Sequence, residues 1–117
     1  MIKHLVMFYF TDKVTDENRD ESKRLIADSV KKIKDADIKG VSELKAVFNI
    51  ADGMPEVGLY GEFENDEALR NYQSHPEHKR HVELTKDFCK DRIVFDWEEQ
   101  HRSIKLSTDV IYVLNNN

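Results

Sequence analysis

The chain has 117 residues, 39% of them hydrophobic and 35% charged, with a formal charge of -5. This length makes one domain with a modest core, and the charged share stands above the roughly 25% of an average soluble domain. No basic stripe is present to neutralise phosphates, which excludes a nucleic-acid binder, and no apolar run approaches the ~20 residues of a membrane span.

The first element, Ile2 to Phe10, reads as a strand from its β-branched and aromatic content. Both of its faces are largely apolar, one with Ile2, His4, Val6, Phe8 and Phe10, the other with Leu5, Met7 and Tyr9. Both sides of this strand are therefore expected to be covered. Its charged Lys3 and polar His4 are unlike a signal peptide. A helix is predicted from the Thr15-Asp16-Glu17 entry signal to about Ala36, with Thr15 as cap and Leu25, Ile26, Ser29, Val30 and Ile33 on its inner stripe. Gly40 closes that connection. A long strand is predicted from Val41 to Ala51, with Leu44, Ala46, Phe48 and Ile50 on one face. Asp52-Gly-Met-Pro-Glu56 is a turn by its Asp-Gly and Pro signals, and Val57 to Phe63 is a third strand whose two glycines point to a bend or a close approach.

Three of the five histidines follow within ten residues, in Tyr72-Gln-Ser-His75-Pro76-Glu-His78-Lys-Arg-His81. A helix capped by Asn65 or Asp66 arrives through Tyr72 and breaks at Ser74-His75, because the residue before proline is pushed towards extended geometry. Proline suits the first position of a new helix, so a second one starts at Pro76 and carries His78, His81, Val82, Thr85 and Phe88. Spacings of three and four set His78, Val82 and Thr85 along one inward stripe, with His81 beside it. Cys89, the single cysteine, cannot form an internal disulfide; it reads as a packed thiol in a reducing, cytoplasmic setting. Ile93 to Trp97 is a fourth strand, and Asp109 to Leu114 in the tail is mildly strand-like.

The order β-α-β-β-α-β is the ferredoxin-like arrangement, an α+β fold with helices on one face of an antiparallel sheet. Nothing remains in the chain to cover the other face, and a bare apolar sheet face marks an association surface. Two subunits packed sheet to sheet about a two-fold axis, a dimeric α/β barrel, are the expected solution.

Three separated segments, Met1-Ile-Lys-His4-Leu-Val-Met-Phe, Tyr72-Gln-Ser-His75-Pro-Glu-His78 and Arg92-Ile-Val-Phe-Asp96-Trp97, resemble the stress-responsive A/B barrel (Dabb) family in order and spacing. The resemblance spans residues 1–97 and leaves 98–117 as an extension, with an extra edge strand or a frayed tail as its two readings. It implies a ferredoxin-like homodimer. By similarity to a plant polyketide cyclase of this family, which closes olivetolic acid without a cofactor, it also implies His78 as a base assisted by Tyr72 and His4.

The residues themselves allow this chemistry. An imidazole titrates near neutrality, burial keeps it uncharged, and a tyrosine hydroxyl can donate to an enolate oxygen. The bland alternatives are a core His4 bonded to backbone or to the helix above, a Tyr72 that only buries its ring, and a His75 that caps a helix or touches a partner. His75, His78 and His81 have some of the spacing of a metal site, but no Asp-Glu cluster supports them, so neither a metal nor a cofactor is expected. The first functional reading is a barrel binding a small hydrophobic or aromatic ligand between sheet and helices. A cyclase-like enzyme with His78 as base comes next, and a cofactor-free monooxygenase-like barrel third.

Overall fold

The computed structural model describes residues 1–99. Seven elements follow in order: β1 (Ile2–Phe10), α1 (Arg19–Asp35), β2 (Val41–Phe48), β3 (Val57–Phe63), α2 (Asp66–Ser74), α3 (Pro76–Thr85) and β4 (Cys89–Glu98). The strands form one antiparallel sheet in the order β2-β3-β1-β4, the ferredoxin-like topology, with the second helix divided in two. Among the described residues no helix is long and apolar enough to cross a membrane. The strand-like stretch at 109–114 lies outside the described residues.

Strand register sorts the side chains. Directly paired residues share a face, so His4 lies beside Gly61 and Asp96, and Val6 beside Leu59 and Val94, all on the helix side. Leu44, Ala46 and Phe48 of β2 join them through their pairing with Gly61, Leu59 and Val57. The core closes where α1 lays Ile26, Val30 and Ile33 on this face and α2 adds Leu69 and Tyr72.

Four boundaries differ from the sequence reading, each for a local reason. The helix α1 begins at Arg19 rather than at Thr15-Asp16. Asn18 holds the preceding turn instead: its Oδ1 accepts the Thr15 N–H at 2.7 Å and its Nδ2 donates to the Lys13 carbonyl at 2.9 Å. Thr15 is thus not the cap, and Leu25 is exposed rather than part of the inner stripe. The strand β2 stops at Phe48 because the Asn49 side chain accepts from Ala51 N–H and donates to the Pro55 carbonyl, folding the chain into a loop that leaves Ile50 fully exposed. The helix α3 ends at Thr85, so Phe88 belongs to the turn and β4 starts early, at Cys89.

No described element covers the opposite sheet face. Leu5 pairs with Phe95 and Met7 with Ile93 across β1 and β4, and Trp97 lies beside Phe95 with ring centroids 5.7 Å apart. Phe95 is 61% exposed.

Of the two β3 glycines, Gly61 is the close approach. A Cβ there would sit 2.8 Å from the Phe63 ring and 3.2 Å from Leu44 Cδ1. Phe63 is completely buried and packs against both His4 and Tyr72, so it cannot give way. Overpacking costs about 1–3 kcal/mol, more than the ~0.5–1 kcal/mol regained by replacing a strand glycine. Gly61→Ala should therefore lower the urea midpoint, and an unchanged or higher midpoint would show that Phe63 can move.

Candidate functional site

The site is built on the break between α2 and α3. Asn65 starts α2 by accepting the Ala68 N–H at 2.9 Å. Proline cannot follow a helical residue easily, and His75 turns extended, with φ -68° and ψ 140°. Its Nδ1 then accepts the Glu77 N–H at 3.0 Å, which makes His75 the cap of α3. In an unbroken helix that N–H would serve the Gln73 carbonyl. The carbonyl is left over, and His78 Nδ1 donates to it at 3.1 Å. This bond requires the proton on Nδ1, so Nε2 of His78 carries the lone pair.

Between this break and the sheet lies a cavity of about 340 Å³, whose lining includes His4, Val6, Tyr72, His78, His81 and Arg92. The three residues singled out in the sequence meet there. Tyr72 packs edge-on against His78 with centroids 4.6 Å apart, and against His4 at 6.3 Å. Phe63 backs the group, 5.1 Å from Tyr72 and 5.9 Å from His4. The Tyr72 hydroxyl and the Nε2 atoms of His4 and His78 have no hydrogen-bond partner among the described residues. None of them is sealed off as a buried unsatisfied atom, so they open on the cavity.

His4 is held neither by backbone nor by the helix above. Its Nδ1 bonds the Asp96 carboxylate on the adjacent strand, which the His4–Asp96 register pair brings opposite. Asp96 had no role in the sequence reading, because a register cannot be read from one strand alone. His81 is committed elsewhere. Its Nδ1 lies 2.7 Å from Ser29 Oγ, and Arg80 reaches the same serine with bonds of 3.0 Å to hydroxyl and carbonyl. This arrangement ties α3 to α1. The three histidines of the break therefore point to three different partners, and among the described residues no group of three metal-ligating side chains converges.

Burial sets the protonation states. It lowers the His78 pKa, and the charges of Arg92 and His4 push the same way against the opposing pull of the Gln73 bond. Burial alone moves the Tyr72 hydroxyl well above its usual range, opposed by Arg92. At neutral pH the cavity thus holds an uncharged imidazole beside an un-ionised phenol. The Cys89 thiol is pushed up to about 11 by burial, which makes it a packed thiol and not a nucleophile.

The family described as Stress responsive A/B Barrel Domain matches residues 2–99. The chain belongs to that family. No curated protein matches this A/B barrel chain. Among solved structures, a dimeric ferredoxin-like protein of unknown function from Bacteroides fragilis is 24% identical, with a TM-score of 0.74 over 84% of this chain and 95% of the other. A Dabb family protein from Mesorhizobium loti is 23% identical, with a TM-score of 0.67 over 85% and 96%. A Bacteroides thetaiotaomicron protein, whose name suggests an antibiotic biosynthesis monooxygenase, is 16% identical, with a TM-score of 0.65 over 91% and 95%. At these identities the similarity shows the fold.

Acid should loosen this A/B barrel domain through His81. Burial, followed by the charges of His78 and Arg80, holds its imidazole at a pKa of about 4, against about 6.5 in an unfolded chain. Between those values the unfolded chain binds the extra proton, so stability falls as pH drops through the window and is unaffected above it. At about 1.4 kcal/mol per pH unit, the wild type should lose on the order of 2 kcal/mol more between pH 7 and pH 5 than His81→Gln, which has no imidazole to protonate. Urea unfolding at the two pH values measures this; equal losses would mean that His81 does not carry the acid sensitivity.

Proposed function

We propose that this protein binds a small, largely apolar carbonyl compound in the cavity and that His78 removes a proton from it without a cofactor. One observation carries the reading. The Gln73 carbonyl accepts the Nδ1–H of His78 and leaves the Nε2 lone pair open on an apolar cavity, beside an un-ionised tyrosine. The volume of about 340 Å³ suits a small organic molecule.

The chemistry follows from these atoms. A C–H bond next to a carbonyl breaks, its proton passes to Nε2, and the electron pair moves onto the carbonyl oxygen as an enolate. The Tyr72 hydroxyl donates a hydrogen bond to that oxygen as its charge grows. Charge on the imidazolium is spread through Nδ1–H to the Gln73 carbonyl. His4, fixed by Asp96, turns its Nε2 to a hydroxyl of the ligand and holds it in one pose. An enolate formed there can attack a second carbonyl of the same molecule, and the new alkoxide recovers the proton from His78. The sum is an aldol-type ring closure. A neutral base beside a neutral acid favours this over simple carriage of a ligand, which needs neither.

His78→Ala should reduce the cyclisation of a linear polyketo acid by about 10²–10⁴-fold, followed by chromatographic loss of the linear substrate. Its melting temperature should stay within a few degrees, because His78 is only half-buried. Turnover unchanged by the substitution would remove His78 as base. Ligand binding with no turnover in the wild type would leave a carrier.

The assembly belongs to the same proposal. Leu5, Met7, Ile93 and Phe95 form an apolar sheet face that no described element of the chain covers, and a second copy facing it across a two-fold axis encloses both. The Bacteroides fragilis neighbour, named as dimeric, supports this arrangement. Sedimentation should find twice the chain mass for the wild type and the single mass for Phe95→Glu. A wild-type monomer at micromolar concentration would overturn it.

A further inference from the structure

Arg92 stands out once the cavity is described. The protein has 23 acidic residues against 18 basic ones, yet among the described residues no carboxylate lines this cavity. Two cations do. Lys86 is neutralised by Glu83, with Nζ 2.6 Å from its carboxylate. Arg92 has no carboxylate partner among the described residues, and its charge reaches both His78 and Tyr72.

The backbone is shaped to put it there. The pairs Met7–Ile93 and Tyr9–Lys90 leave Phe8 facing two residues, Asp91 and Arg92, so β4 carries a bulge. Asp91 takes up the extra residue at φ 54°, a left-handed conformation that is unfavourable for a non-glycine residue. Without the bulge, strict alternation would send Cys89 to the bare face whenever Arg92 faces the helices. With it, Cys89 pairs with Phe10 on the helix side and lines the cavity together with the exposed Arg92.

We propose that Arg92 is an anion anchor and that the ligand is an amphipathic carboxylic acid. Its carboxylate lies on the guanidinium, and its apolar body runs inward past Val6 towards Tyr72 and His78. A guanidinium presents paired N–H groups that match the two oxygens of a carboxylate, which orients the ligand as well as holding it. The anchor sets specificity: an acid enters carboxylate outward and delivers its other end to the base. This inference rests on the reading of the cavity as a ligand site.

Calorimetry with para-butylbenzoate and its primary amide, which differ in charge far more than in shape, tests it. Wild type should bind the acid about tenfold or more tighter than the amide. Arg92→Gln should erase that preference by weakening the acid alone, and Lys86→Gln should preserve it. Both substitutions are at exposed side chains, so a circular dichroism spectrum and a melting temperature like those of wild type confirm that the variants fold. Equal binding of acid and amide by wild type would overturn the anchor while leaving the cavity a ligand site. A preference that survives in Arg92→Gln would assign the acid to another cation and overturn the proposal. Binding of neither compound by wild type would remove the ligand site and the anchor together.

Discussion

A single missing helical hydrogen bond organises this molecule. Pro76 forces His75 out of the helix, and the Glu77 N–H that would have closed the turn goes to the His75 ring instead. The Gln73 carbonyl, released from the ladder, fixes the His78 tautomer. A backbone rule about the residue before proline thereby becomes a statement about which nitrogen holds a lone pair. The same break lets α2 bury Tyr72 in the core while α3 stands off from the sheet and leaves room for a cavity.

What surrounds that cavity is arranged by burial more than by charge. Removal from water keeps His78 and His81 uncharged and Tyr72 protonated, and in each case it is the largest cause of the shift. Buried His81 and half-buried His78 are nevertheless different devices. His81 is bound into the Ser29-Arg80 cluster that fastens α3 to α1, so its ring holds helices together. His78 spends only one nitrogen on the protein. His4 lies between these cases, locked to Asp96 through one nitrogen with the other turned to the cavity.

The sheet divides the work between its faces. On the helix side Gly61 omits a side chain so that Phe63 can lie beneath His4 and Tyr72, and the position of the site depends on that ring. On the other side Phe95, Trp97 and their β1 neighbours are covered by no described element of the chain. Strand β4 serves both: Phe95 and Trp97 face outward while Asp96 and Arg92 face in, so the apolar face and the cavity share one backbone.

Much of this was legible in the amino-acid order alone. The β-branched and aromatic content of β1, the His75-Pro76 break and the run of elements are local signals, and they determined the ferredoxin-like order and the grouping of Tyr72 with His78. The errors were also local. Asn18 and Asn49 use their side chains to hold turns, and such bonds compete with helix and strand in a way that periodicity does not report. Only the tertiary structure decided the contacts between distant segments: Asp96 as the partner of His4, Ser29 as the partner of His81, and Arg92 in the cavity lining. The physical reason is register. Which residue of β4 faces which residue of β1 depends on pairing and on a one-residue bulge at Asp91, and a shift of one position would turn Asp96 and Arg92 to the other face.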